Sequence, residues 1–139
     1  KLLRDDLSLS KNLVEETLRY WGPVDFVGRR FATEKIELEG EEIPRGSQVA
    51  VSLGAANRDP EKFANPDVFD ITRGDANRHV AFGRGIHACL GAPLARIEGL
   101  IAFETLFRRY PDLRLAIPAD EIMWSNNFLR GFRQIPVLF

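Results

Sequence analysis

Apolar side chains recur every three or four residues over residues 9–21, which is the period of one face of an α-helix. Two rows of side chains follow this spacing: Leu13, Thr17 and Tyr20, and Val14, Leu18 and Trp21. Gly22 and Pro23 then end the pattern, because neither residue continues a helix well. The spacing predicts an amphipathic helix over residues 9–21.

Polar and apolar side chains alternate over residues 24–51, as in strands that have one face on a core. The alternation is clearest over residues 35–39, and turns are indicated at Gly40 and at residues 43–46. This segment predicts a small antiparallel sheet. Residues 57–78 follow and are rich in Pro, Asp and Asn, which indicates an ordered loop rather than a linker.

A second helical pattern covers residues 94–110, where the apolar face is too wide for a helix at a protein surface. Its members are Leu94, Ile97, Leu100, Ile101, Phe103, Leu106 and Phe107. We therefore expect a buried helix. The tail predicts a strand over residues 113–117, a loop at 125–127 and a closing strand over 135–139. The whole pattern predicts a mainly α protein with small antiparallel β-sheets, of the α+β class, and one domain over residues 1–139.

Composition and charge argue against several classes of function, among them nucleic-acid binding and membrane insertion. The 139 residues are 45% hydrophobic and 28% charged, as in ordinary globular proteins. The net charge of −1 gives no polyelectrolyte signal, so we expect no nucleic-acid partner. One cysteine cannot form an internal disulfide, and no run is apolar enough to predict a membrane span or a signal peptide. These features predict a cytoplasmic protein with no membrane partner.

The one cysteine, Cys89, lies in the glycine-bearing segment FGRGIHACLG. Gly83, Gly85 and Gly91 can adopt positive φ angles and let the backbone approach a flat ligand. A helical pattern follows at once, and the N-terminus of a helix favours a negative charge such as that of a thiolate. Taken by itself, the segment also fits a buried and inert cysteine in a turn.

Basic side chains surround the cysteine in the sequence: Arg78, His79, Arg84, His87 and Arg96. We expect these groups to pair with negative groups on a bound cofactor. Other chemistries fit less well. A thiol hydrolase would need a third group that the sequence does not place, one Cys and two His are few for a zinc site, and the glycine spacing departs from a dinucleotide fingerprint.

The complete segment resembles the haem-ligand loop of the cytochrome P450 family, FGxGxHxCxG, and matches every specified position of it. The resemblance implies haem b as cofactor and Cys89 as the axial ligand of its iron. It further implies that Phe82 shields the sulfur, that the three glycines allow close approach to the porphyrin, and that His87 holds a propionate. The helix over residues 94–110 would lie beneath the cofactor.

Three other segments extend the resemblance. Glu16 and Arg19 share a helix face, and by themselves they would form a surface ion pair. EETLRY resembles the ExxR helix of the family, which implies a buried structural network of Glu16 and Arg19 with Arg73. The RFAT segment implies that Arg30 contacts the other propionate. The candidates for substrate contact are Val24, Val27, Phe128 and Leu129, of which the last two lie at the tip of a C-terminal hairpin.

The resemblance implies a haem-thiolate monooxygenase of the soluble bacterial type. Such an enzyme inserts one atom of O2 into a small hydrophobic substrate, with electrons from NAD(P)H delivered by a reductase through a ferredoxin or flavodoxin. The segments near the docking face of that partner carry four basic side chains: Arg58, Lys62, Arg78 and Arg84. The alternative for them is ordinary solubilising charge.

The resemblance covers essentially the whole chain but only the C-terminal part of the family's fold. The expected absences are the N-terminal helices and the distal helix that activates oxygen. Two hypotheses therefore stand at this point. The chain is either part of a monooxygenase or a truncated, noncatalytic haem-binding fragment.

Overall fold

The structure is a computed structural model that describes residues 2–125 and 129–139. A short helix α1, Leu2–Asp5, and a 3-10 turn, Leu7–Leu9, lead into helix α2, Ser10–Trp21. Asp6 caps the turn, since its side chain accepts a hydrogen bond of 2.9 Å from the Ser8 N–H. Helix α2 begins one residue after the predicted start and ends at the predicted residue.

The strand-like segment forms two separate two-stranded antiparallel pairs rather than one sheet. Strand β1, Arg30–Phe31, pairs with β4, Gln48–Val49, and β2, Ile36–Leu38, pairs with β3, Glu41–Ile43. Glu39 and Gly40 connect β2 to β3 with φ angles of 51° and 82°, as the tight turn of such a hairpin requires. Each strand has only two or three residues, so the alternation in the sequence overestimated the extent of pairing.

A short helix α3, Leu53–Ala56, follows and is capped by the Ser52 hydroxyl, which accepts a hydrogen bond from the Ala55 N–H. The chain then runs without strands to a 3-10 turn at Ala76–Arg78. Phe63 is only 3% exposed and anchors this loop in the core. The prediction of an ordered loop rather than a linker fits this burial.

Helix α4, Ala92–Arg109, packs mainly against α2. A Cβ atom added at Gly99 would lie 3.1 Å from Cγ2 of Val14, so the two helices meet closely there. The predicted burial of α4 is wrong for this chain, because Ile97 and Ile101 are 55% and 59% exposed. Apolar spacing identified a face, but among the described residues no element covers the side of α4 that points away from α2.

The tail forms a third antiparallel pair, between β5, Arg114–Leu115, and β6, Val137–Leu138. Both strands lie inside the predicted ranges and are shorter. Residues 126–127 of the predicted loop lie outside the described residues. The observed helices and three antiparallel pairs confirm the predicted α+β class. In the described part of the chain, no helix combines the length and apolar character needed to cross a membrane.

The α2–α4 contact predicts that Gly99→Leu will destabilise the protein. The added side chain must push against Val14, and overpacking of this kind costs about 1–3 kcal/mol, which exceeds the gain of ~1 kcal/mol or less in helix propensity. Ala102→Leu adds a similar side chain to an exposed position of the same helix and should change the free energy of unfolding little. Denaturant titration checks both variants, and equal stability of the two would contradict the packing argument.

Candidate functional site

The loop that carries Cys89 is held by its own backbone. The Cys89 N–H donates to the Phe82 carbonyl at 2.9 Å, and the Gly83 N–H donates to the Val80 carbonyl at 2.8 Å. A 3-10 turn, Gly85–His87, forms the tip between these contacts. The Cys89 side chain itself is exposed and makes no disulfide. The backbone therefore presents the sulfur at the surface of the loop instead of burying it, and the alternative of a buried, inert cysteine does not hold here.

Two of the three loop glycines have the backbone conformation that the sequence predicts. Gly83 and Gly85 have φ angles of 69° and 76°, where other residues are strained. Gly91 differs, because it precedes helix α4 with a φ of −80° that any residue can adopt. A Cβ atom at Gly91 would lie 3.7 Å from the Cys89 sulfur, which is ordinary contact. The prediction of a positive φ at Gly91 is thus wrong, because the residue already has near-helical angles.

A cavity of about 390 Å³ lies against the loop, and Cys89 and His87 line part of it. The remaining lining side chains are apolar and include Val24, Val27 and Leu53. Sequence analysis named Val24 and Val27 as substrate contacts, and the structure brings both to the same cavity as the cysteine. The cavity therefore combines one soft sulfur donor, one imidazole and an apolar wall.

Arg30 and Leu129, two other predicted contacts, lie next to residues that line this cavity or that bind its lining residues. The Arg30 guanidinium hydrogen-bonds the Gly28 carbonyl at 3.4 Å, and Gly28 lines the cavity. Leu129 is exposed, and the neighbouring Arg130 N–H donates to the Pro23 carbonyl at 2.7 Å, which ties the C-terminal hairpin to the residue before Val24. Phe128, the remaining predicted contact, lies outside the described residues.

The four basic residues of the predicted docking face do not form one group. Lys62, Arg78 and Arg84 line a second cavity of about 400 Å³. Arg58 is instead committed to an ion pair with Asp67 at 2.6 Å, and its guanidinium lies 4.0 Å from the centre of the Tyr20 ring. Three of the four basic side chains are therefore brought together.

His79 and Arg96 differ from the prediction that they pair with a bound cofactor, because both bind Glu15. Arg96 Nε lies 2.6 Å from Glu15 Oε1, and Arg96 Nη2 lies 3.1 Å from Oε2. His79 Nε2 lies 3.0 Å from the same Oε2, and both the imidazole and the carboxylate are buried. The buried Glu15 carboxylate is the partner of both basic groups, and no pattern in the sequence indicated this pairing.

The pKa values in this cluster follow from burial and charge. Burial acts to raise the pKa of Glu15, but the hydrogen bond and charge of Arg96, with those of His79, outweigh it and hold that pKa below its ordinary value. Burial lowers the pKa of His79 below its ordinary value, and the Arg96 and Arg19 cations act in the same direction, against the pull of Glu15. Near neutral pH the cluster therefore contains one carboxylate, one guanidinium and a neutral imidazole.

The structure also brings Glu16, Arg19 and Arg73 together. Arg19 Nε lies 2.7 Å from Glu16 Oε2, and Arg73 Nε lies 3.4 Å from Glu16 Oε1. The Glu16 and Arg19 side chains are fully buried. Burial acts to raise the pKa of Glu16, but the hydrogen bonds from Arg19 and from the Asp70 N–H keep it below its ordinary value. The pair is therefore an interior one, not the surface pair that spacing alone would suggest.

Sequence reasoning missed two residues of the site, Glu15 and Asn57. The Asn57 side-chain oxygen accepts a hydrogen bond of 2.7 Å from the Val80 N–H, and the Asn57 backbone carbonyl accepts one of 2.9 Å from the Arg19 guanidinium. Asn57 thus connects the Arg19 network to the segment just before the ligand loop. For Glu15, the one signal in the sequence was an acidic residue directly before Glu16 on the same helix. Nothing in the sequence identified the partners of Glu15, and no signal indicated Asn57.

Comparison with known proteins gives a consistent result over nearly the whole chain. The sequence model of the family described as Cytochrome P450 matches residues 3–122. A cytochrome P450 of Priestia megaterium is 53% identical over 100% of this chain and 33% of that protein. The 6-deoxyerythronolide B hydroxylase of Saccharopolyspora erythraea is 48% identical over 98% of this chain and 33% of that protein.

A solved structure, that of P450BioI in complex with an acyl carrier protein bearing hexadec-9Z-enoic acid, has the same fold in the shared region. It superposes with a TM-score of 0.90 at 46% identity and covers 99% of this chain and 35% of that one. The chain spans about a third of the length of the curated relatives that it matches. The family resemblance inferred from the ligand loop is therefore confirmed, and so is the partial extent of the fold.

The Glu16 network predicts a large loss of stability for Glu16→Gln. Removing the Glu16 charge leaves the buried Arg19 cation without a counterion, which typically costs about 3–5 kcal/mol, whereas Arg73 keeps Asp75 at 3.8 Å. Glu104→Gln is the matched control, because Glu104 forms an exposed ion pair with Arg108 on α4 that is worth about 1 kcal/mol or less. Chemical denaturation followed by circular dichroism measures both, and a loss of similar size in the two variants would refute the structural role of Glu16.

Proposed function

This chain belongs to the cytochrome P450 family, and we propose that residues 1–139 form the haem-binding region of a monooxygenase in which Cys89 would hold the haem iron. The observation that carries the proposal is the exposed Cys89 sulfur, which a hydrogen-bonded loop presents beside an apolar cavity. A Cys thiolate ligand pushes electron density onto haem iron and so favours cleavage of the O–O bond.

The residues around the cavity fit a haem group. A flat apolar macrocycle needs an apolar wall, which Val24, Val27 and Leu53 supply. Its iron needs a soft donor, for which Cys89 is available. The φ angles of Gly83 and Gly85 keep side chains out of the loop where it would approach the ring. These features support haem b, which is held without a covalent bond to the protein.

The roles that we propose for individual residues are those that the family resemblance implies. Cys89 would donate electron density to the haem iron as a thiolate, and Phe82 would shield the sulfur. His87 and Arg30 would hold the two propionates through charge-assisted hydrogen bonds. Haem, when bound, supplies the activation of O2 that allows one oxygen atom to be inserted into a C–H bond. The network of Glu16, Arg19 and Arg73 keeps the loop before the ligand segment in place and takes no part in the chemistry.

The substrate we propose is a small hydrophobic molecule of a biosynthetic route. Val24, Val27 and Leu129 offer apolar contact for it, with Phe128 next to Leu129 in the sequence. One relative is named as a hydroxylase of 6-deoxyerythronolide B, and one structural neighbour carries a fatty acyl chain on an acyl carrier protein. A carrier-bound acyl or polyketide chain is therefore the substrate class that we favour.

We propose that electrons come from NAD(P)H through a reductase and a ferredoxin or flavodoxin in the cytoplasm of a bacterium. The bacterial relatives support this assignment. Lys62, Arg78 and Arg84, which lie around one cavity, provide a positive surface for an acidic carrier. The alternative function is a noncatalytic haem-binding fragment.

The reduced carbon monoxide difference spectrum of the haem-loaded, full-length protein tests the assignment of Cys89. We expect a strongly red-shifted Soret band that Cys89→Ser abolishes, because a serine hydroxyl does not replace a thiolate as donor. Ala88→Ser is the matched control, since it adds a hydroxyl to the same loop and keeps the sulfur. A band that survives in Cys89→Ser would reject the ligand assignment. Oxidation of substrate with NAD(P)H and a carrier present would separate the monooxygenase from the noncatalytic fragment.

The propionate role predicts that Arg30→Gln weakens haem binding. Loss of a charged hydrogen bond costs about 1.5–3 kcal/mol, so haem loss to a scavenging protein should be about ten-fold faster or more. Arg29→Gln removes the same charge from the adjacent exposed residue and should leave the rate unchanged. Equal rates of loss in the two variants would exclude a specific contact by Arg30.

A further inference from the structure

A second charged cluster lies closer to the ligand loop than the Glu16 network does. It consists of Glu15 on α2, Arg96 on α4 and His79 in the segment before the loop. Glu15 binds both partners, and Arg96 meets its carboxylate with two nitrogens at 2.6 and 3.1 Å. The cluster thus joins three parts of the chain that are far apart in the sequence, and none of the roles described above requires it.

His79 links Glu15 to the backbone of the ligand loop through two hydrogen bonds. Its Nδ1 accepts a hydrogen bond of 3.0 Å from the Ala81 N–H, so this nitrogen carries no proton. The neutral ring then has its proton on Nε2 and donates to Glu15. A directed chain of hydrogen bonds runs from the Ala81 N–H through His79 to Glu15, and it fixes the backbone one residue before Phe82.

Arg96, on α4, lies beside the ring of Phe82. Its guanidinium carbon lies 4.8 Å from the centre of the Phe82 ring, a cation–π distance. The His79 ring lies 6.0 Å from that ring. The Phe82 carbonyl in turn accepts the hydrogen bond from the Cys89 N–H. The Phe82 ring therefore lies beside Arg96 and His79, and the Phe82 carbonyl restrains the backbone of Cys89.

We propose that Glu15, His79 and Arg96 are positioning residues that fix Phe82 and, through it, the Cys89 sulfur. None of the three touches the sulfur, and each acts through Phe82 or Ala81. This inference rests on the proposed function, in which Cys89 is a metal ligand. Glu16 differs in its task, because its partners Arg19 and Arg73 bind carbonyl groups of residues 57–68 rather than the ligand loop.

Hydrogen–deuterium exchange of the full-length protein tests the first part of the proposal. Arg96→Gln should speed exchange in a peptide covering residues 79–91 by about ten-fold, because the hold on Phe82 is lost. Arg108→Gln is the matched control, since it removes an arginine from an exposed Glu104 pair of the same helix. A peptide covering residues 53–63, which contains the buried Leu53 and Phe63, reports any general loss of stability and should not change.

Spectroscopy of the haem-loaded variants tests the second part. In Arg96→Gln and Glu15→Gln, a fraction of the reduced carbon monoxide absorbance should move from the thiolate band to the shorter-wavelength band of a protonated or displaced thiol. Arg108→Gln should keep the wild-type spectrum. Arg96→Lys keeps the cation but loses the two-point contact, so it should recover part of the thiolate band and also remains informative if Arg96→Gln folds poorly.

The outcomes separate this proposal from the proposed function. Exchange that is faster only in residues 79–91, together with the spectral change, supports the positioning role. Wild-type exchange in Arg96→Gln, equal acceleration in all peptides, or faster exchange with an unchanged spectrum would each overturn it. A wild-type protein without any thiolate band would instead overturn the proposed function, while the exchange data would still decide whether the cluster holds the loop.

Discussion

Two adjacent buried glutamates on α2 are the constraint on which the surroundings of the ligand loop depend. A carboxylate inside a protein is tolerated only when it is paired and hydrogen-bonded. Glu16 satisfies this need with Arg19 and Arg73, and Glu15 satisfies it with Arg96 and His79. One helix therefore determines where the loop after α3, the segment before Cys89 and the start of α4 can lie.

The site follows from this arrangement. The loop over residues 57–68 is fixed by arginines whose positions depend on Glu16, and the backbone before the cysteine is fixed by a histidine that depends on Glu15. The glycines at 83 and 85 then turn the chain at positive φ. The result is a cysteine whose backbone is restrained while its sulfur is exposed, which is the arrangement that a metal ligand needs.

The sequence was most informative where local rules apply. Helical spacing located α2 to within one residue, and the fixed spacing of the ligand loop identified the family. The sequence was least informative about which distant side chains contact each other. Glu15 and Arg96 are 81 residues apart in the chain, so no local pattern links them, and Arg96 was assigned to a cofactor instead. The exposed face of α4 shows the same limit, since periodicity indicates an apolar face without indicating what covers it.

We propose that Cys89 is the sulfur ligand of a haem iron, in a site whose loop is held by α2. Iron K-edge X-ray absorption of the haem-loaded, full-length protein measures this ligand directly, because sulfur and nitrogen scatter differently in the first shell of the metal. With Cys89 as the ligand, we expect one sulfur in addition to the porphyrin nitrogens. A first shell that contains only nitrogen and oxygen would contradict it.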